Sequence, residues 1–203
     1  MSENISLGGY GLFELNMVLS PFYILSYFFI DSFVNATFIH FFLYLFSLII
    51  ALCFGILFKR TLKITAPPGF RTNPICSSFE SPWLRELENF IVPSFRPLFF
   101  AFTCVYILCS LLSNPTDNVR GMVFFIFLLF VSISDTIVRR RNYCENNTSI
   151  LWGVLIGSMV AWLCWGAISL LGGKKFLYFS GNDSTVKKCK LDRKKVRFKC
   201  TTN

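Results

Sequence analysis

Five apolar stretches, near residues 11–30, 37–58, 97–113, 121–138 and 151–171, fill about half of this 203-residue chain. Each is close to the ~20 residues a helix needs to cross the hydrocarbon core of a bilayer. Inside lipid every backbone N–H and C=O has to be satisfied within its own segment, so stretches of this kind fold as helices. The expectation is an all-α polytopic membrane protein of five transmembrane helices, arranged as two hairpins plus one, with the lipid bilayer as its surroundings. A hydrophobic fraction of 54% beside only 15% charged residues agrees, because a water-soluble domain of that composition would expose large apolar patches. The polar segments 59–96 and 172–203 are too short for independent domains. The chain therefore divides into a five-helix membrane domain, residues 1–171, and a basic tail, residues 172–203.

The formal net charge of +9 is concentrated in that tail. Residues 172–203 hold ten Lys/Arg against Asp183 and Asp192, a balance of 10 − 2 = +8. The membrane body is thus nearly neutral, and the basicity describes the appendage. No reading motif accompanies these charges, so no nucleic-acid partner is expected. No Lys or Arg precedes Lys59, so the first stretch lacks the basic flank of a cleaved signal and is expected to stay as a span.

Orientation follows from charge near the spans. Within about 15 residues of a span, Lys59, Arg60, Lys63, Arg71, Arg85, Arg96 and Arg139-Arg140-Arg141 lie on one side, against Arg120, Lys174 and Lys175 on the other. Distant charges influence insertion weakly. This places the N-terminus in the cytosol and the tail in the lumen or outside, in the endoplasmic reticulum or another secretory-pathway membrane. Cys189 and Cys200 can face each other if Leu191-Asp192 and Arg197-Phe198 pair around a turn at 193–196, and an oxidising compartment would join them as a disulfide. Asn182-Asp183-Ser184 would be a usable glycosylation sequon there. The other cysteines suggest no framework. Cys53, Cys104, Cys109 and Cys164 fall in spans, and Cys76 and Cys144 in loops read as cytosolic, so all six are expected as packing residues or free thiols. With His40 the single histidine and no CxxC pair, neither a metal nor a cofactor is expected.

Local patterns add detail. Glu14, Asn16 and Pro21 predict a kinked first helix with Glu14 at headgroup level, and His40 reads as a solvated interfacial residue. Ser81 can cap a short helix over 82–92, with Pro82 in its first turn and Pro93 stopping it. Trp83, Leu84, Leu87, Phe90 and Ile91 share one face of it, as in a helix lying in the membrane interface. That helix either positions the third span or docks a partner. Asp135 stands four residues before Arg139, the spacing of a helical ion pair. In the fifth span, Gly153, Gly157 and Ala161 recur every fourth residue and form a smooth stripe for helix packing, within the bundle or against another subunit. Trp152 reads as an interfacial anchor. The tail patterns as a small β-meander with strands around 175–179, 185–191 and 196–200.

Glu14, His40 and Asp135 are scattered, whereas an enzyme acting on lipid needs clustered acids, histidines or metal ligands around one cavity. A channel or transporter needs polar residues lining several spans, and these are sparse. The expected function is a non-catalytic subunit or scaffold of a larger membrane-protein complex, assembling with other membrane-protein subunits through the fifth span and the tail.

Overall fold

Helical periodicity and bilayer-length apolar runs produce five helices in the computed structural model, which describes residues 9–35, 37–65, 92–113, 119–172, 177, 188–192 and 197–201. Side chains are described from Leu19 onward and not in the last two of these segments. The elements are α1 (Gly9–Val34), α2 (Phe38–Leu62), α3 (Phe95–Ser113), α4 (Val119–Arg141), α5 (Asn147–Leu170), β1 (Lys188–Asp192) and β2 (Arg197–Thr201). Helices α2 to α5 are each long and apolar enough to cross a membrane, the architecture of a multi-pass integral membrane protein. In α1 the described apolar part is Leu19–Val34, and the helix continues through Pro21.

The helix ends follow local chemistry. α2 stops at Lys63, which takes the left-handed conformation and returns its N–H to the Lys59 carbonyl. Lys59 and Arg60 lie in that last turn, where cations complement the helix dipole. α4 likewise ends on Arg139, Arg140 and Arg141. Five residues then turn the chain into α5, with the Cys144 N–H bonded to the Arg139 carbonyl at 2.9 Å and Asn146 capping the new helix. Connections this short make α4 and α5 antiparallel neighbours.

α3 is the hub of the bundle. Its apolar window is 61% buried, against 17% for α4, and its most extensive contact is with α5, followed by α4 and α2. α1 leans on α2 and α4. Phe28, Tyr44, Leu98, Phe102, Tyr106 and Ile107 are fully buried in one continuous core. The outward faces are equally apolar: Phe42, Phe46, Ile126, Phe130 and Trp162 are all more than half exposed, the pattern of side chains solvated by lipid tails. The fifth helix therefore does not stand apart from two hairpins. It is the principal partner of α3.

In the tail, β1 and β2 pair antiparallel, with Cys189 opposite Cys200 and Leu191 opposite Phe198. Of the expected strand near 175–179, only Leu177 is described. It is a bend residue buried in the core cluster, not part of a strand. The predicted interfacial helix lies outside the described residues except for Val92, which is buried in a bend.

Candidate functional site

Charged side chains gather where the C-terminal ends of α2 and α4 meet the starts of α3 and α5. The Arg96 guanidinium donates to Asp135 Oδ1 at 2.8 Å, joining α3 to α4. Arg139 donates through Nε to Glu145 Oε1 at 2.9 Å, and Ser94 Oγ donates to the same oxygen at 2.6 Å. The two pairs are well buried, with carboxylate side chains only 3% and 2% exposed. Lys59, itself buried, places Nζ 4.5 Å from the centre of the Phe95 ring, within cation–π range. Glu145 Oε2 has no hydrogen-bond partner among the described residues. The cluster thus carries three cations and two carboxylates within a largely apolar bundle. Removing one partner of such a pair strands the other charge at a cost of about 3–5 kcal/mol, so the cluster acts as an electrostatic clasp on four helix ends.

The expected Asp135–Arg139 pair is not formed. Asp135 turns to Arg96 and Arg139 to Glu145. An i,i+4 pair on a helix surface gives only a few tenths of a kcal/mol, and here α3 and the α4–α5 turn bring closer-fitting partners into a desolvated setting.

A second ion pair closes the other end of α1 and α4. Arg120 Nη2 donates to Asp31 Oδ1 at 2.5 Å, and Asn35 Nδ2 donates to the same carboxylate at 3.1 Å. One helical turn inward, Tyr27 and Phe124 stack with centroids 4.3 Å apart. Deeper in the bundle, the Tyr44 and Thr103 hydroxyls share a hydrogen bond of 2.8 Å between α2 and α3. Trp165 Nε1 donates to Ser113 Oγ at 3.0 Å, tying α5 to α3.

The small-residue stripe lies inside the bundle. A Cβ built on Gly153 would sit 2.7 Å from the Ser94 carbonyl oxygen, and one on Gly157 would also fall under 3.0 Å from the Leu98 carbonyl oxygen. Both obstacles are backbone, the Ser94 carbonyl just before α3 and the Leu98 carbonyl within it, so the glycines let the two main chains touch. Ala161 is fully buried beside them. Trp152 is not simply an interfacial anchor: it packs partly buried against the core, its ring 6.4 Å from that of Phe58. His40, expected to be solvated, is buried, because it lies on the inward face of α2 together with Tyr44, Ser47, Leu48 and Ala51. Cys144, expected as a free thiol, is disulfide-bonded, and its partner lies outside the described side chains. Cys53, Cys104, Cys109 and Cys164 are free. Asn182, Trp83, Leu84, Leu87, Phe90, Ile91 and the Glu14 side chain lie outside what is described, as do the side chains of Cys189 and Cys200.

Sequence reasoning missed Glu145 and counted Arg96 only as a loop charge. The available signal was the rule that an ionisable residue at membrane depth finds a partner. Applied to Asp135, it admits Arg96 as readily as Arg139. Compared with protein-family models, with curated proteins and with solved structures, the chain has no match.

Proposed function

We propose that this chain is a non-catalytic subunit or scaffold of a larger membrane-protein complex, crossing the bilayer five times with its tail on the face opposite its N-terminus. The observation that carries this reading is how the buried charges are spent. Asp135 and Glu145 each hold an arginine and link helix ends, which suits a rigid framework more than a reaction centre. Because the glycine face of α5 is used against α3, assembly falls to its outer face, where Leu151, Leu155, Met159 and Trp162 are all at least half exposed, and to the tail that follows. Mild-detergent purification with mass analysis should recover a stoichiometric membrane partner, and a photo-crosslinker at Leu155 should capture it. A monodisperse monomer with no partner would overturn the scaffold reading.

The charge count supports a cytosolic N-terminus and a lumenal tail in a secretory-pathway membrane, with Asn182 glycosylated and Cys189 joined to Cys200. A second reading inverts this, and one observation favours it: a disulfide at Cys144 suits an oxidising compartment on the side of the α4–α5 turn. A glycosylation shift lost in Asn182→Gln supports the first orientation. Digestion of the tail by protease added to the cytosolic side of sealed vesicles supports the second.

A further inference from the structure

One stripe of α1 and one stripe of α4 face each other, with Ser20 and Phe124 buried between the helices and Tyr23 and Phe127 at the lipid-facing edge. On α4, Arg120, Phe124, Phe127 and Val131 recur at the seven-residue spacing that keeps them on one face. On α1, Ser20, Tyr23, Tyr27 and Asp31 follow at steps of three, four and four, which also keeps them on one face. The two stripes meet at the Arg120–Asp31 pair and the Tyr27–Phe124 stack, which sets the helices antiparallel. Beyond the stack they part, leaving a slot of about 320 Å³ lined by Ser20, Tyr23, Ile24, Phe127 and Val131 together with the stacked rings. Tyr23 and Phe127 are 55% and 56% exposed, so the slot opens sideways toward the bilayer.

The occupant can be argued from depth, length and charge. The slot lies within the apolar parts of α1 and α4, where the surrounding solvent is hydrocarbon, and an apolar cavity of this kind does not hold water. On α4 the slot itself runs from Phe124 to Val131, seven residues or about 10 Å. Arg120 stands one further turn toward the headgroups, so that it lies about 16 Å from the slot floor, close to the ~15 Å depth of one leaflet of hydrocarbon. A single acyl chain descending from the headgroup region would end where the slot ends. One turn above the slot, past the Tyr27–Phe124 stack, the Arg120 side chain is anchored by Asp31 yet 65% exposed. A guanidinium has five N–H donors, so its bonds to Asp31 and to the Tyr27 hydroxyl still leave others at headgroup depth for a phosphate.

We propose that the slot between α1 and α4 holds one acyl chain of a glycerophospholipid whose phosphate accepts hydrogen bonds from Arg120. The site is independent of any protein partner and would be filled in the isolated chain. It makes the lipid a wedge between two helices that otherwise touch along little of their length.

The test is native mass spectrometry of the full chain in a mild, phospholipid-free detergent, titrated separately with dioleoyl phosphatidylglycerol and with dioleoylglycerol, which has the same chains and no phosphate. The wild type should show one saturable site that prefers the phospholipid by about tenfold or more, the worth of a charge-assisted hydrogen bond. Arg120→Gln should reduce that preference to about threefold or less while dioleoylglycerol binding persists. Val131→Phe, which fills the slot and leaves the ion pair alone, should weaken both ligands together. Graded adducts without saturation in the wild type would overturn the proposal. So would an unchanged preference in Arg120→Gln, or unchanged binding in Val131→Phe. If Arg120→Gln fails to fold, Arg120→Lys replaces it, and the Val131→Phe result decides the acyl site on its own.

Discussion

Alanine replacements at four glycines of the helix bundle, Gly55, Gly153, Gly157 and Gly166, should separate backbone contact from every other role of a small residue. At Gly153 the new methyl would lie 2.7 Å from the Ser94 carbonyl oxygen. Ordinary contact begins near 3.4 Å, so α3 and α5 would have to part by 3.4 − 2.7 = 0.7 Å locally. Gly157 meets the Leu98 carbonyl still more closely. Neither obstacle can rotate away, and the seam is the largest interface in the bundle. Overpacking of a close-packed seam costs about 1–3 kcal/mol or more, offset in part by the ~1 kcal/mol helix preference of Ala over Gly. At Gly55 the obstacle is Leu98 Cδ1, the tip of a side chain, at 2.8 Å, and a rotamer change can relieve it. Gly166 has nothing within 4 Å, so only the helix preference remains. The expected order of stability is therefore Gly166→Ala above wild type, Gly55→Ala near it, and Gly153→Ala and Gly157→Ala lowest. A thiol-reactive dye followed during heating in detergent reads this directly, because the free cysteines Cys104 and Cys164 are partly shielded by the fold. If Gly157→Ala melted at the same temperature as Gly166→Ala, the backbone contact between α3 and α5 would be refuted.

The clasp gives a second prediction. Arg96→Ala and Asp135→Ala should each lower stability by about 3–5 kcal/mol, with the double variant well short of their sum; additive losses on thermal unfolding would show that the two groups do not act as a pair. Tyr44→Phe and Thr103→Val should each cost about 0.6–1.7 kcal/mol, the range of interhelical hydrogen bonds in membranes, again with non-additivity in the double variant. Finally, Cys144 should resist maleimide labelling in the denatured, unreduced chain and react after reduction; labelling before reduction would disprove its disulfide.

Much of the helical layout was legible because lipid allows few alternatives. The five apolar runs foretell α1 to α5 to within a few residues at each end, and the differences lie in polar flanks such as Lys59–Leu62 and Arg139–Arg141, which continue the helices past their apolar cores. The Gly153, Gly157 and Ala161 spacing announced a close approach but not its partner, since a stripe records the shape of one surface and says nothing of the opposing one. Pairing of Arg96 with Asp135 was hidden for a related reason. They are 39 residues apart, and only the crossing of α3 over α4 joins them. The α1–α4 slot was not read from the sequence: Ser20, Tyr23, Tyr27 and Asp31 share one face of α1, but a cavity is a property of two helices together.

The position of α3 bears on how the protein is made. A helix enclosed by its neighbours meets lipid on little of its surface, so the glycine seam can lay its main chain bare, while its Thr103, Ser110 and Ser113 hydroxyls return hydrogen bonds to carbonyls one turn earlier. The bared main chain and the Ser113–Trp165 bond suit contact with α5, and Thr103 also meets Tyr44 of α2. During synthesis α3 emerges before α5, and until Asn147–Leu170 arrives it is an unfinished surface. A chain ending before Asn147 would retain every helix up to α4, yet it should be recognised by membrane quality control and degraded, because the last helix completes the first half of the protein's interior.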